Sequence, residues 1–163
     1  MASGKSNFGR RLAEALDYEF VDLDYLFEER FRISVLDFFD KYDEDAFRII
    51  ERSLLAETSN LENIVISTGG GTPCFFDNMD VICRSGISIY LHWSIPALIS
   101  RLNMVRRKRP LLKNIQPSEL LDHVSVHLAQ RELYYNRANI IVEGANLNLT
   151  LLLEELTKMI NLR

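Results

Sequence analysis

The sequence predicts an α/β fold: a parallel β-sheet covered by helices on both faces. Three observations carry this expectation. The β-branched run Asn63–Thr68 stops at Gly69-Gly70-Gly71, as a buried parallel strand does when it enters a loop. Strand-like runs alternate with amphipathic stretches along the chain. Gly4-Lys5-Ser6 opens the first amphipathic stretch, as the end of a phosphate-binding loop opens a helix.

The elements follow in order. Phe8, Leu12, Ala15 and Leu16 repeat at helical spacing and predict a helix over Ser6–Leu16. Glu19–Asp22 is a short strand that ends in acid. Tyr25–Phe31 and Val35–Tyr42 are short helices, and Asp43–Asn60 is a longer one. After the Asn63–Thr68 strand, Ser88–Leu91 is a third. Ser94 caps the next helix, with Pro96 accommodated in its first turn. Ser118–Asn136 is helical, Asn139–Val142 is the fourth strand, and Asn148–Ile160 is an amphipathic closing helix. A phosphate loop joins a strand to a helix, yet no strand precedes Gly4. The expectation is therefore of a first strand, central to the sheet, lying roughly ten residues upstream of Met1.

At 163 residues the chain suits one domain. Hydrophobic residues at 47% and charged residues at 26% match a globular protein. A net charge of −4 argues against nucleic acid or an anionic membrane as partner. Cys74 and Cys83 lack CxxC spacing, which disfavours a disulfide framework or zinc site. A reduced cytoplasmic setting is the simplest reading.

Several clusters fall where open parallel sheets hold ligands. Asp22 and Asp24, two apart at a strand end, suit Mg²⁺ and a hydroxyl, although Asp24 as a helix cap fits equally well. Arg48 either grips a carboxylate or pairs with Glu44 or Glu51 on a solvated face. Three successive glycines after a strand point to a backbone approached closely by a ligand. The basic run Arg106-Arg107-Lys108-Arg109 before Pro110-Leu111-Leu112 fits a cover that brings Arg109 onto phosphates. Arg131 is a second carboxylate grip or a surface charge. His123 and His127 have metal spacing without a third ligand, and His92 beside Trp93 reads as packing.

In this order, Gly-Lys-Ser, Val-Asp-Leu-Asp, Phe-Arg-x-x-Glu, Ser-Thr-Gly-Gly-Gly, Arg-Pro-Leu-Leu and Arg-x-x-Leu-Tyr, the chain resembles the shikimate kinases from Gly4 to the closing helix. The resemblance implies a P-loop kinase domain with a lid over about 104–117 and a substrate-binding helical region over about 24–60. It implies ATP and Mg²⁺, with Gly4, Lys5 and Ser6 on the phosphates, and Ser6 and Asp22 supporting the ion. It implies Asp24 on the shikimate 3-hydroxyl, Arg48 and Arg131 on its carboxylate, and Gly69, Gly70 and Gly71 on the ring hydroxyls. Arg109 would cover the transferring phosphoryl group, and Lys5, Asp24 and Arg109 would form the catalytic set. Phe39 and Phe47 match aromatic positions around the substrate, and Arg101 is the candidate to stack on adenine. A monomer is implied. Two other readings remain: a related kinase acting on a metabolite such as gluconate, and a non-catalytic domain whose phosphate loop is half absent.

Overall fold

The computed structural model describes residues 3–105 and 117–161. Along them run α1 (Lys5–Leu16), β1 (Glu19–Asp22), α2 (Leu23–Phe31), α3 (Val35–Lys41) and α4 (Glu44–Thr58). Then come β2 (Ile64–Ser67), a 3₁₀ turn at Thr72–Cys74, α5 (Asn78–Ser85), β3 (Ile89–His92) and α6 (Ile95–Val105). The chain continues through α7 (Pro117–Tyr135), β4 (Ile140–Glu143), a second 3₁₀ turn at Gly144–Asn146 and α8 (Leu149–Ile160). The expected elements are present with ends shifted by a few residues. α5 is the addition: with eight residues it spans about two turns, too short for Met79 and Ile82 to mark out a helical repeat in sequence.

Side-chain caps explain several boundaries. The Asp22 carboxylate accepts from the amides of Asp24 and Tyr25 and starts α2. Asp43 accepts from Ala46 N at 2.7 Å and starts α4, and Asn148 does the same for α8 through Thr150 and Leu151. The cap of α2 is thus Asp22, which corrects the alternative that assigned capping to Asp24. Asp24 lies inside the first turn, where its charge faces the helix N-terminus.

All strand pairing is parallel, as expected, but the sheet is in two halves. β1 pairs with β2 in register Glu19↔Ile64 to Asp22↔Ser67, and β3 pairs with β4 from Ile89↔Ile140 to His92↔Glu143. Among the described residues no strand joins β2 to β3. A slot of about 820 Å³ lies there instead, lined by both strands and by Phe8, Leu12 and Leu16 of α1. The slot explains why Ile64, Val65 and Ile66, read as a buried strand, are only half-buried.

Three apolar clusters hold the layers. Leu23, Phe27, Phe38, Phe47, Leu54 and Leu55 join α2, α3 and α4. Leu98, Leu102, Leu120, Val124 and Leu128 join α6 to α7, and Leu12, Ile140, Leu152 and Leu156 bind α1 and α8 to β4. In the first cluster, Phe27 meets Phe38 edge-on at 5.2 Å and Phe47 at 5.1 Å. Such pairs add about 0.5–1.5 kcal/mol each to the burial of the rings. They fix α4, and with it Arg48, against the rest of the fold. Among the described residues, no helix is long and apolar enough to cross a membrane.

Candidate active site

The carboxyl ends of β1 and β2 and the start of α1 meet at one place. Gly4 takes a left-handed conformation, φ 86°, which an L side chain rarely adopts. A Cβ there would also lie 2.8 Å from Arg101 Nη2. Immediately after it, Lys5 and Ser6 begin α1, so their amides belong to the unpaired first turn that favours anions. Ser6 Oγ donates to Asp22 Oδ2, tying the loop to the end of β1.

Asp24 projects from α2 towards the glycine turn: its Oδ1 lies 3.1 Å from where a Gly69 Cβ would be. Burial raises its pKa above the ordinary aspartate value. The Asp22, Glu51 and Glu28 carboxylates add to the rise, while the Lys5 ammonium opposes it. Asp24 is thus poised near Lys5 and held closer to protonation than a surface aspartate.

Arg48 is 8% exposed, although it pairs with both candidate acids. Its Nη1 donates to Glu51 Oε2 at 2.7 Å, and its Nη2 to Glu44 Oε1 at 2.7 Å. The solvated-face alternative is therefore corrected: the partners are those foreseen, but the guanidinium is buried. Burial disfavours its charge, yet Glu51 and Glu44 outweigh this and raise its pKa. The guanidinium packs over Phe75 at 4.1 Å and Phe47 at 5.2 Å. Its nitrogens are 2.5 and 2.7 Å from the Cβ position of Gly71, so any side chain there would displace it. Phe39 lies 4.8 Å from Phe47, whose ring is core beneath Arg48.

Arg131, near the end of α7, lines the same cavity as Lys5, Gly69 and Gly70. Burial pushes the Cys74 thiol up, and the charges of Arg131 and Arg48 both pull it back, so both arginines lie within electrostatic reach of one thiol. One turn past Arg131, the Tyr135 hydroxyl donates to the Gly70 carbonyl. Lys5, Asp24, Arg48, Arg131 and the glycine turn are therefore brought together. Arg109 and the lid centre lie outside the described residues. Arg101 stacks on Trp93 at 4.2 Å beside Gly4.

Three groups, Thr72, Cys74 and Tyr135, were not given roles by the sequence, and Glu51 was foreseen only as an ion-pair partner of Arg48. Glu51 is 3% exposed and accepts from Thr72 Oγ1 at 2.5 Å while holding Arg48. Tyr135 lines the cavity, and Cys74 follows Pro73, which lines it too. Spacing carried a partial signal, since Glu51 is three residues from Arg48 and Tyr135 four from Arg131. Thr72 shows its purpose only once α4 is packed on the glycine turn.

A glycine-lysine-serine turn entering a helix, an acid at a strand end, and two arginines beside a glycine turn are the features of a P-loop kinase for a small acid. The shikimate kinase family model matches residues 1–161. The shikimate kinase of Azobacteroides pseudotrichonymphae is 43% identical over 142 residues, 86% of this chain and 84% of that protein. That of Bacteroides fragilis is 41% identical over 141 residues, 86% of this chain and 79% of its own. The crystal structure of the Bacteroides thetaiotaomicron shikimate kinase, 34% identical, superposes with a TM-score of 0.89 and covers 99% of this chain and 94% of that one. A shikimate-bound shikimate kinase from Acinetobacter baumannii, 27% identical, gives 0.79 over 98% and 88%. The chain belongs to the shikimate kinase family.

Proposed function

We propose that this chain transfers the γ-phosphoryl group of ATP to the 3-hydroxyl of shikimate, giving shikimate 3-phosphate and ADP. The observation that carries the reading is the convergence of Asp24 and two arginines on one glycine turn beside Lys5.

Shikimate's carboxylate meets Arg48 and Arg131, two cations that both act electrostatically on Cys74. Arg48 is already oriented by Glu44 and Glu51, so little side-chain entropy is lost when substrate binds. The ring hydroxyls meet the backbone of Gly69, Gly70 and Gly71, where the absence of side chains lets Asp24 and Arg48 close in on the turn. Asp24 accepts the proton of the attacking hydroxyl, a task suited to a carboxylate whose basicity burial has raised. Lys5 and Arg109 offset charge on the phosphoryl oxygens, and the first amides of α1 hold the phosphates. The Ser6 hydroxyl and Asp22 carboxylate are oxygen donors already in contact, a set that fits Mg²⁺. When bound, the ion would neutralise phosphate charge. The shikimate pathway towards aromatic amino acids, a cytoplasmic location and a monomeric state accompany this reading.

A coupled ADP-release assay on shikimate and gluconate tests it. Turnover is expected on shikimate alone, and equal turnover on gluconate would overturn the assignment. Asp24→Asn should lower kcat about 10²-fold or more, the usual share of a general base, with ATP affinity nearly unchanged.

A further inference from the structure

We infer that Glu44 competes internally with the substrate carboxylate for Arg48 and so sets how tightly the pocket holds an acid, a role that rests on the function proposed above. A guanidinium offers five N–H donors, and the edge made by Nε with Nη2 is a fork that matches a carboxylate. In Arg48 that fork is taken: Nε donates to Glu44 Oε1 at 3.1 Å, and Nη2 to the same oxygen at 2.7 Å. Nη1 is committed to Glu51 Oε2 at 2.7 Å. The end between Nη1 and Nη2 is crowded by the glycine turn, since a Gly71 Cβ would lie 2.7 and 2.5 Å from those nitrogens. Phe75 and Phe47 pack on the group at 4.1 and 5.2 Å. An incoming carboxylate therefore reaches a two-bond grip on Arg48 by replacing Glu44.

The two acids on Arg48 are not equivalent. The Glu51 side chain is 4% exposed, and its other oxygen accepts from Thr72 Oγ1 at 2.5 Å. Releasing that acid would strand a buried charge. The Glu44 side chain is 54% exposed, and Arg48 is its one side-chain partner among the described residues. Glu44 also opens α4, one residue past the Asp43 cap. After leaving Arg48 its carboxylate stays in water at a helix N-terminus, and both settings favour a negative charge. An i,i+4 pair with one partner this exposed resists separation only weakly. Glu51 keeps the guanidinium aimed, while Glu44 holds the fork until a ligand brings a carboxylate of its own. One acid replaces another, so Arg48 stays compensated throughout the exchange. The substrate binds more weakly by the fraction of time that Glu44 holds its place.

Shikimate binding and steady-state kinetics of the full chain provide the test. Glu44→Ala should lower both Kd and KM for shikimate about three- to tenfold, with kcat and the KM for ATP within about twofold of the parent. Glu44→Gln keeps an acceptor at the fork without the charge, and its values should fall between the two. If Glu44→Ala does not fold, Glu44→Gln decides: a fall in Kd supports the competition, and no change or a rise overturns it. Asp45→Asn removes a neighbouring exposed charge that has no bond to Arg48 among the described residues, and it should leave Kd within about twofold. An equal gain there would reduce the effect to long-range charge and overturn the inference. The methyl ester of shikimate has no carboxylate to exchange and should bind the parent and Glu44→Ala alike; an equal gain for the ester also overturns it. An unchanged or raised Kd for shikimate in Glu44→Ala would make Glu44 a support for Arg48 and end the idea. A parent chain that does not bind shikimate overturns the functional reading and this one together, whereas a parent that turns shikimate over, with no gain in Glu44→Ala, overturns this one alone.

Discussion

At the site, side chains divide, on the proposed reading, between those that would meet substrate and those that hold them. Arg48 would belong to the first group, and Glu51, which holds it, to the second. Glu51 is 3% exposed, bonded to Arg48 at 2.7 Å and to Thr72 at 2.5 Å. Glu51→Gln keeps the shape but removes the charge that offsets a buried guanidinium. A loss of about 3 kcal/mol in unfolding free energy is expected, measured by urea denaturation, with weakened shikimate binding. In the proposed reaction Asp24 would set the pH response. Its folded pKa is raised, chiefly by burial and then by Asp22. As the base it must be ionised, so kcat/KM should climb with pH through a value above the ordinary aspartate range. An acid limb below that range would remove Asp24 as the base. For stability the sign is opposite: the protonated form suits burial, so this contribution is present at low pH. It is lost as pH rises through the raised value.

Among the elements, α4 and α7 decide where the arginines point. α4 is locked by Phe47 into the aromatic cluster with Phe27 and Phe38, and α7 by Val124 and Leu128 against α6. Tyr135 links the end of α7 to the glycine turn through the Gly70 carbonyl. Burial raises its pKa, so the hydroxyl stays a donor across the neutral range. Tyr135→Phe removes that bond and leaves the ring. The KM for shikimate should rise up to about tenfold, the worth of one such bond, with the KM for ATP and the unfolding midpoint almost unchanged. A matching rise in both KM values would assign Tyr135 to general stability. The motif Arg-x-x-Leu-Tyr showed these two residues on one helix. It could not show that the helix abuts Gly70, because that contact spans 65 residues of sequence.

Across the whole molecule, the site is a junction of separately packed parts: α1 with β1, α4 with the glycine turn, and α7. A ligand touching all three stabilises them together. Shikimate at about 100 times its Kd should add about 2.7 kcal/mol to folding, read as a higher unfolding midpoint. Arg131→Ala should cancel most of that shift, and an unshifted parent chain would argue against convergence at one pocket. Much of this was legible from residues alone. Hydrophobic periodicity placed most elements because strand and helix repeat at different periods, and the order of short motifs named the chemistry. The sequence by itself determined the α/β class, the parallel pairing and the family, since these are written in local pattern and motif order. Only the tertiary structure decided that Asp22 caps α2 and that Arg48 is buried between two acids. Those outcomes depend on burial and on contacts between residues far apart in the chain, which no local window contains.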